Sequence, residues 1–465
     1  MPKNLEKLRL EKKNCWEVWS AAETKRAFAF SEDYKDFLDQ AKTEREAVAV
    51  GMKIASKKGF KDISSLKSLK TGDKVFAVNK NRNLVLAVIG KKLLADGFKL
   101  VMSHVDAPHL DLKTNPLYED ESLAFFKTHY YGGIKKYHWP TIGLALHGTV
   151  VLANGKKIDI SIGEKESEPI FMITDLLPHL GRKQLRKTLD EAIAGEELNI
   201  VAGSLPVSDK KAKERVKLAV LEHLNKEYGI IEEDFFSADL QAVPDAKARD
   251  LGFDRSLLAA YGQDDRVCAW TSLSAILDAK VTDETQICFW TDREEIGSTG
   301  NTGAQSVFIE NFVANLLELT TGDGSFREVY KVFDRSCGFS SDVTAGLDPD
   351  YKEVHDLRNV ARLGFGVAIE KYTGHSGKSG TSEASAEFTN KIRTILNKNK
   401  VIWQSAGLGK VDEGGGGTIA KFLSHRNMDI IDIGVPLFNM HAPLEIASKA
   451  DIYSAYLAYK AFFQS

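Results

Sequence analysis

The sequence predicts an α/β protein in which a mainly parallel-sheet domain is interrupted by an inserted, β-rich domain. Short apolar runs alternate with helical patterns before residue 108 and again after residue 264, which is typical of a parallel sheet covered by helices. Between these regions, turn-bounded strand patterns dominate. We therefore expect a first domain built from residues 1–108 and 259–465, and an inserted domain over residues 109–258.

The first elements are a helix and three strands. Apolar side chains recur at helical spacing between Ser31 and Gly59, with Ser31 as the N-cap and Gly59 as the stop. Three short runs rich in Val and Leu follow at Lys74–Lys80, Asn83–Gly90 and Phe98–Asp106. They are too short for helices, so we predict strands, at least one of them buried on both faces.

The remaining elements follow the same two patterns. A hairpin is predicted over Ile142–Ile162, because Ala153-Asn154-Gly155 is a typical turn sequence within it. The charged stretch Asp209–Gly229 is predicted to be a helix. After residue 264 we predict a helix, two strands and a last helix, at Arg266–Ala279, Gln286–Asp292, Met428–Gly434 and Leu444–Phe463.

Composition and charge exclude several classes of protein. The 465 residues include 62 Lys+Arg and 65 Asp+Glu, so the chain lacks the basic excess of a protein built mainly to bind nucleic acid. Hydrophobic residues make up 43%, which argues against disorder. No run approaches the ~20 apolar residues of a membrane span, and residues 1–19 lack the apolar core of a signal peptide. We expect a soluble cytoplasmic protein without nucleic-acid or membrane partners, whose scattered cysteines are reduced: Cys15, Cys268, Cys288 and Cys337.

Two segments with candidate metal ligands lie at a predicted strand end and a helix start. His104 follows the apolar run that ends at Met102, and a histidine at a strand end offers its imidazole to a metal. In the spacing His-x-Asp both side chains point to the same face of an extended chain, so Asp106 can hold the other ring nitrogen. Asp264 and Asp265 stand at a helix start, where one carboxylate can bridge two cations because each oxygen carries free lone pairs.

Three further segments supply carboxylates and a second histidine. Glu294 and Glu295 follow a predicted strand, and adjacent residues on an extended backbone face different ways. One carboxylate can therefore bind metal while its neighbour takes a proton from the attacking water. Asp342 and His441 complete a set of two histidines and three carboxylates without a competing cysteine site. Such a set suits a dinuclear zinc, cobalt or manganese centre.

The order and spacing of six sequence blocks resemble the aspartyl aminopeptidase / vacuolar aminopeptidase I family of dinuclear zinc metallopeptidases. The blocks are SHVDAPHLDLK, YGQDDRVCAW, TDREEIGS, SSDV, GKVDEGGGGTIA and DIGVPLFNMHAPLEIASKADI. The segment GVAIEKYTGHSGKSG favours the bacterial aminopeptidase-I-like branch. The resemblance spans almost the whole chain, from the helix around Phe37 to the terminal helix. It implies a metal-dependent aminopeptidase that acts on peptides with a free N-terminus and binds two divalent ions, zinc or alternatively cobalt or manganese.

The resemblance also implies which residues bind the two ions. Asp264 is expected to bridge them. His104 and Asp342 would complete one metal site, and Glu295 and His441 the other. Asp265 is expected to support these ligands or to cap its helix.

Catalytic roles and assembly are implied in the same way. Glu294 is expected to act as the general base, and Asp106 to orient His104. In this family the inserted domain forms dimers that assemble into a hollow dodecamer, and a histidine of a neighbouring subunit enters the active site. The segment Ile173–Leu180 matches that region, which makes His179 the candidate.

Two other functions stay open at this point. One is a related dinuclear amidohydrolase, such as a carboxypeptidase or deacylase, and the other is an inactive shell-forming relative. The intact Glu294-Glu295 pair argues against the inactive relative. The acidic-residue preference of one branch cannot be transferred, because the region of Glu370 and Lys371 departs from its pattern. Three histidines with a nine-residue spacing are predicted to lie at the surface or in a dimer interface: His129, His138 and His147.

Overall fold

The computed structural model describes residues 8–465. Residues 1–7, which belong to the predicted first domain and to the segment predicted not to be a signal peptide, lie outside the described residues. Within the described range, the α-helices are α1 Cys15–Val18, α2 Ala21–Gln40, α3 Glu44–Lys57, α4 Arg215–Tyr228, α5 Gln263–Leu277, α6 Phe308–Thr321, α7 Phe326–Asp334, α8 Ala386–Lys398, α9 Ala420–Ser424 and α10 Lys449–Phe463. Over residues 8–465 no helix has both the length and the apolar character needed to cross a bilayer.

The β-strands of the same range form three larger sheets and one short ribbon. They are β1 Lys61–Asp62, β2 Lys74–Asn79, β3 Asn83–Val88, β4 Phe98–His104, β5 His109–Asp120, β6 Leu123–Tyr131, β7 Leu144–Val151, β8 Lys157–Ile162, β9 Met172–Ile173, β10 Ile200–Gly203, β11 Ala238–Pro244, β12 Arg249–Leu251, β13 Leu257–Ala260, β14 Thr285–Thr291, β15 Cys337–Ser340, β16 Thr344–Ala345, β17 Val367–Glu370, β18 Gly374–His375, β19 Trp403–Ser405, β20 Gly415–Gly416, β21 Asp429–Gly434, β22 Pro436–Phe438 and β23 Glu445–Ser448.

The largest sheet has the strand order β1-β2-β3-β14-β4-β15-β21-β17-β19. Its central strands β14, β4, β15 and β21 are mutually parallel, whereas β3 and β17 run antiparallel to their neighbours β14 and β21. The C-terminal ends of the four central strands therefore meet at one edge of the sheet, where ligands of α/β proteins commonly bind. The α/β class predicted from the sequence is confirmed.

Helices cover both faces of this sheet and bury a large apolar core. On one face, α2, α3, α5, α8 and α10 pack on strand residues that include Trp290 and Phe339. On the other face, α6, α7 and α9 pack on residues that include Phe289 and Ile430. Gly51 of α3 lies against the indole of Trp290, and a Cβ at this position would be 2.4 Å from the ring. This packing fixes the strand ends that carry the site.

The second sheet is antiparallel throughout, with the order β8-β7-β11-β5-β6-β10-β9. All its strands lie between His109 and Pro244, and they enclose an apolar core of their own. A third sheet has the order β12-β13-β23-β22-β16. Its strands β12 and β13 precede α5, β16 follows β15, β22 follows β21, and β23 precedes α10. The domain bounds derived from the sequence stay a prediction.

His147 of β7 connects the second sheet to α3. Its Nδ1 lies 2.8 Å from Glu46 Oε1 and its Nε2 lies 3.0 Å from Glu164 Oε1, and only 2% of the residue is exposed. Burial disfavours the charged imidazole, but the hydrogen bonds with Glu164 and Glu46 outweigh burial and raise the pKa of His147. Lys42 adds an ion pair with Glu164 at 3.2 Å. The prediction of a surface position for His147 is wrong, because its partners come from distant parts of the chain.

Most predicted elements are confirmed, and three helices differ. The helix predicted over Asp209–Gly229 begins only at Arg215 and ends at Tyr228. The helix expected from Ser31 starts earlier, at Ala21, and is interrupted after Gln40, because Thr43 opens a new helix through a capping box with Glu46. The first residues of the predicted last helix form β23, which pairs with β13 and β22. The three N-terminal strands and the hairpin β7–β8 lie where the sequence places them, within two residues at each end.

Candidate metal centre

The residues predicted to bind metal come together where the central strands end. His104 is the last residue of β4, Glu294 and Glu295 follow β14, and Asp342 follows β15. Asp264 lies at the start of α5, and His441 lies between β22 and β23. Parallel neighbours share an edge, so residues scattered over more than 300 positions of the sequence become neighbours there. The full group that the structure brings together is His104, Asp106, Asp264, Glu294, Glu295, Asp342 and His441.

Asp264 lies between the two histidines. Its Oδ1 is 3.2 Å from His104 Nε2, and its Oδ2 is 3.1 Å from His441 Nε2. His104 Nε2 is also 3.7 Å from Asp342 Oδ1. Burial opposes ionisation of Asp264, but its contacts with the two imidazoles hold its pKa well below the usual range. A carboxylate with one oxygen toward each imidazole has the geometry of a bridging ligand.

Asp106 contacts His104 and accepts three further hydrogen bonds through its carboxylate. His104 Nδ1 lies 3.0 Å from the backbone carbonyl of Asp106 and 3.2 Å from its Oδ1, and Oδ1 accepts a hydrogen bond from the backbone N–H of Glu294 at 3.2 Å. Its Oδ2 accepts hydrogen bonds from the N–H of Glu295 at 3.2 Å and from the hydroxyl of Tyr131 at 2.9 Å. Burial opposes ionisation, but these contacts keep the pKa of Asp106 below its usual range. Because Nδ1 of His104 faces Asp106, Nε2 is left to face Asp264.

The two glutamates after β14 have different surroundings. Glu295 Oε2 lies 3.3 Å from His441 Nε2, and Oε1 is buried without a hydrogen-bond partner among the described residues. Glu294 forms a separate group with His104 and Asp342, in which the potential ligand atoms lie within 4.8 Å of one another. Burial, followed by the negative charge of Asp342, raises the pKa of Glu294 to about 8. A carboxyl group with a pKa in that range can exchange a proton near neutral pH.

Three supporting groups were missed by the sequence analysis. Glu445 of β23 accepts hydrogen bonds from the backbone N–H of Asp264 at 3.0 Å and of His441 at 2.8 Å. The carbonyl of Gly133 accepts a hydrogen bond from His441 Nδ1 at 2.8 Å, and the hydroxyl of Tyr131 donates to Asp106. Glu445 was placed inside a predicted helix, and nothing in the sequence around residues 131–133 points to the distant ligands. These contacts depend on how the three sheets meet, which local sequence patterns do not show.

The donors fit a divalent metal ion. Two imidazole Nε2 atoms and several carboxylate oxygens converge, while each Nδ1 faces a backbone or carboxylate oxygen. Within residues 8–465, Oε1 of Glu295 is buried without a hydrogen-bond partner, so it is a further free ligand atom. Nitrogen and oxygen donors without thiolate are compatible with zinc, cobalt and manganese.

His179 is not brought to this cluster by the chain itself. It lies in the exposed loop after β9, and among residues 8–465 its side chain has no hydrogen bond, ion pair or ring contact. Asp265 contacts the backbone of one candidate ligand, because its Oδ2 accepts a hydrogen bond from the backbone N–H of His104 at 3.3 Å. The role of His179 in an assembly and the individual roles of the clustered residues stay predictions.

The sequence matches the family model described as aminopeptidase I zinc metalloprotease (M18) over residues 37–463. A protein of Clostridium acetobutylicum named probable M18 family aminopeptidase 1 is 47% identical, and the alignment covers 100% of both chains. A crystal structure of an M18 family aminopeptidase from Thermotoga maritima is 44% identical and superimposes with a TM-score of 0.95, covering 98% of this chain and 100% of that chain.

More distant structures share the fold. The structure described as the S. cerevisiae mApe1 dodecamer is 20% identical and has a TM-score of 0.74, covering 93% of this chain and 95% of that chain. At this identity the likeness concerns the fold alone.

Proposed function

Because this chain belongs to the aminopeptidase I zinc metalloprotease (M18) family and is a metalloaminopeptidase, we propose that it removes N-terminal residues from peptides at a dinuclear centre with a glutamate as general base. The family resemblance seen in the sequence is confirmed. Relatives that are 46–47% identical are named aminopeptidases, which favours this activity over a carboxypeptidase or deacylase. The clustering of all candidate ligands argues against an inactive relative. The cytoplasmic location expected from the sequence stays a prediction.

In this proposal Asp264 would contribute to holding both of two divalent ions, one together with His104 and Asp342 and the other together with Glu295 and His441. Bound divalent ions would act as Lewis acids that polarise the scissile carbonyl and lower the pKa of the attacking water. The observation that carries the proposal is the position of Asp264, whose two carboxylate oxygens each face a different imidazole at 3.2 and 3.1 Å.

Side chains of the protein would carry out the remaining steps. The concentration of carboxylates attracts the α-ammonium group of a peptide, which favours cleavage next to a free N-terminus. Glu294 takes one proton from water as the water oxygen forms a bond to the scissile carbonyl carbon. When the C–N bond breaks, Glu294 gives this proton to the leaving amine nitrogen. Asp106 holds the imidazole of His104 and the backbone of Glu294 in place during both steps.

A substrate panel tests the reaction class. Aminoacyl-nitroanilides and their N-acylated counterparts would be compared with and without a chelator. We expect chelator-sensitive release from the unblocked substrates only. Release only from N-acylated substrates would favour an amidohydrolase instead, and no release after metal reconstitution would favour an inactive protein.

Metal stoichiometry tests the dinuclear arrangement. Asp264→Ala should lose at least one of two ions, because the bridge serves both sites. Elemental analysis of the purified variant against the wild type measures this directly. Unchanged stoichiometry would remove Asp264 as the bridge.

We further propose that the antiparallel sheet is a dimerisation domain and that the protein forms a dodecamer in which His179 reaches a neighbouring active site. The loop around His179 exposes a group of large apolar side chains, each between 46% and 80% exposed: Ile170, Leu176, Leu177, Leu180, Leu185 and Leu189. Such a surface is typical of a protein interface. The S. cerevisiae mApe1 structure, which shares the fold, is a dodecamer and adds support.

Mixed oligomers test the role of His179. Glu294→Gln and His179→Ala should each be nearly inactive alone. After subunit exchange, sites with an intact Glu294 and an intact neighbouring His179 should regain part of the activity. No regain in mixtures shown to be co-assembled by light scattering and mass spectrometry would refute action between subunits.

A further inference from the structure

The segment at the end of β6 contacts ligands on both sides of the metal centre. It consists of Tyr131, the last residue of β6 in the antiparallel sheet, and of Gly132 and Gly133, which directly follow that strand; none of the three belongs to the sheet that carries most of the ligands. We infer that this segment, called here the 131–133 segment, is a positioning element for the metal centre, in addition to any part its sheet has in assembly. This inference rests on the metal centre proposed above.

Tyr131 acts on the side of His104. Its hydroxyl donates to Asp106 Oδ2 at 2.9 Å, and Asp106 in turn faces His104 Nδ1. The phenol ring is held in place by His109, whose ring stacks on it with centroids 4.4 Å apart and an interplanar angle of 16°. His109 is fixed by the carbonyl of Ala107 at 2.8 Å and by Asp111 at 2.9 Å. The orientation of Asp106 therefore depends on a cross-strand pair of the second sheet.

Gly133 acts on the side of His441. Its carbonyl accepts the hydrogen bond from His441 Nδ1 at 2.8 Å, which fixes the proton on Nδ1 and leaves Nε2 to face Asp264 and Glu295. The backbone N–H of His441 donates to Glu445 Oε1 at 2.8 Å, so the Gly133 carbonyl and Glu445 hold the ring and the backbone of this residue separately.

Gly132 leaves room for Glu295. A Cβ at residue 132 would lie 3.3 Å from Glu295 Cβ and 3.5 Å from its Oε2. The backbone of Gly132 also has φ 77°, a conformation that other residues adopt at a cost. A side chain here would therefore press on a proposed ligand, and it would strain the turn that presents the Gly133 carbonyl.

Zinc affinity tests the inference. If the 131–133 segment only stabilised the fold, substitutions in it would lower the melting temperature without weakening zinc binding more than the control substitutions do. Zinc dissociation constants would be measured by chelator competition on the full chain, with melting temperatures measured in parallel. Tyr131→Phe removes only the hydroxyl, and its matched control is Tyr130→Phe, on the opposite face of the same strand and 41% exposed. Gly132→Ala is matched by Gly155→Ala, which has a similar φ of 82° but nothing within 4 Å of the added Cβ.

We expect Tyr131→Phe and Gly132→Ala to weaken zinc binding by about 10–100-fold, the usual effect of losing support around a metal ligand. Tyr130→Phe and Gly155→Ala should bind zinc as the wild type does, even where Gly155→Ala lowers the melting temperature. The inference fails if Tyr131→Phe binds zinc as tightly as Tyr130→Phe, or if Gly132→Ala binds it as tightly as Gly155→Ala. Asp264→Ala serves as the reference. If Asp264→Ala kept its full zinc content, the proposed centre itself would be wrong.

Discussion

Replacing Glu294 by glutamine separates the proposed base from the proposed ligands. Glutamine has the same size as glutamate but cannot accept a proton. Glu294 is surrounded by protein and lies beside Asp342, and burial and this neighbouring charge raise its pKa to about 8. A base with a pKa near the working pH contributes about 10²–10⁴-fold to the rate. We therefore expect Glu294→Gln to lower kcat by about 10²–10⁴-fold, equivalent to about 2.7–5.4 kcal/mol of transition-state stabilisation.

The assay combines kcat with metal content. Glu295→Gln is the matched control, since it makes the same chemical change at the adjacent residue, whose carboxylate faces His441. Glu294→Gln should keep the wild-type metal stoichiometry and lose kcat, whereas Glu295→Gln should lose metal. Glu294 also lies in a group of potential ligand atoms with His104 and Asp342, so it could itself bind metal. The metal content of Glu294→Gln distinguishes a ligand from a base.

The pH profile supplies a second readout. Bound cations stabilise a nearby carboxylate, so the pKa of Glu294 in the loaded enzyme should lie below the value of about 8 that burial and Asp342 produce. The rate should therefore fall as the pH decreases through that lower pKa, and Glu294→Gln should lack this acid limb. Loss of metal from Glu294→Gln, or a kcat within about tenfold of the wild type, would refute the assignment.

Three further changes test other parts of the structure. Glu445→Gln should weaken zinc binding about tenfold or more in chelator competition, because an amide cannot accept from two backbone N–H groups as the carboxylate does; wild-type affinity would contradict this. His147 has a pKa raised above 6.5 in the folded protein, so its contribution to stability is complete below pH 6.5 and is lost as the pH rises through the folded-state pKa. His147→Gln should thus lower the free energy of unfolding by more below pH 6.5 than well above it. A loss of stability that grows with pH would contradict this prediction. Gly51→Ala should lower the melting temperature despite better helix propensity, since crowding against Trp290 costs about 1–3 kcal/mol and the propensity gain is about 1 kcal/mol or less; a raised melting temperature would show that the indole can move.

The convergence of the ligands was predictable from the sequence for a physical reason. A histidine or carboxylate that directly follows an apolar strand lies at the strand end, and parallel strands place their ends along one edge. His104, Glu295 and Asp342 follow this rule. The strands that carry the site were recognisable as short, continuous apolar runs, because both faces of the sheet are buried.

The supporting contacts could not be predicted, because they depend on pairing between sheets. Glu445 belongs to a four-residue strand that runs directly into α10, so its apolar pattern is continuous with that of the helix. Only its pairing with β13 and β22 distinguishes the two structures. Tyr131 and His147 are similar cases, since each finds its carboxylate partner in a segment that local sequence patterns do not connect to it.

The order of strands in the large sheet also determines when this protein can become a peptidase during its synthesis. His104 and His441 are about 340 residues apart, and a ribosome adding ~5–20 residues per second needs roughly 20–70 s to make that stretch. Until β21 and the segment with His441 have emerged, β15 can pair only with β4 and the second imidazole is absent. On the ligand assignment proposed above, a nascent chain would lack part of its metal centre, so we expect peptidase activity only once nearly all of the chain has left the ribosome.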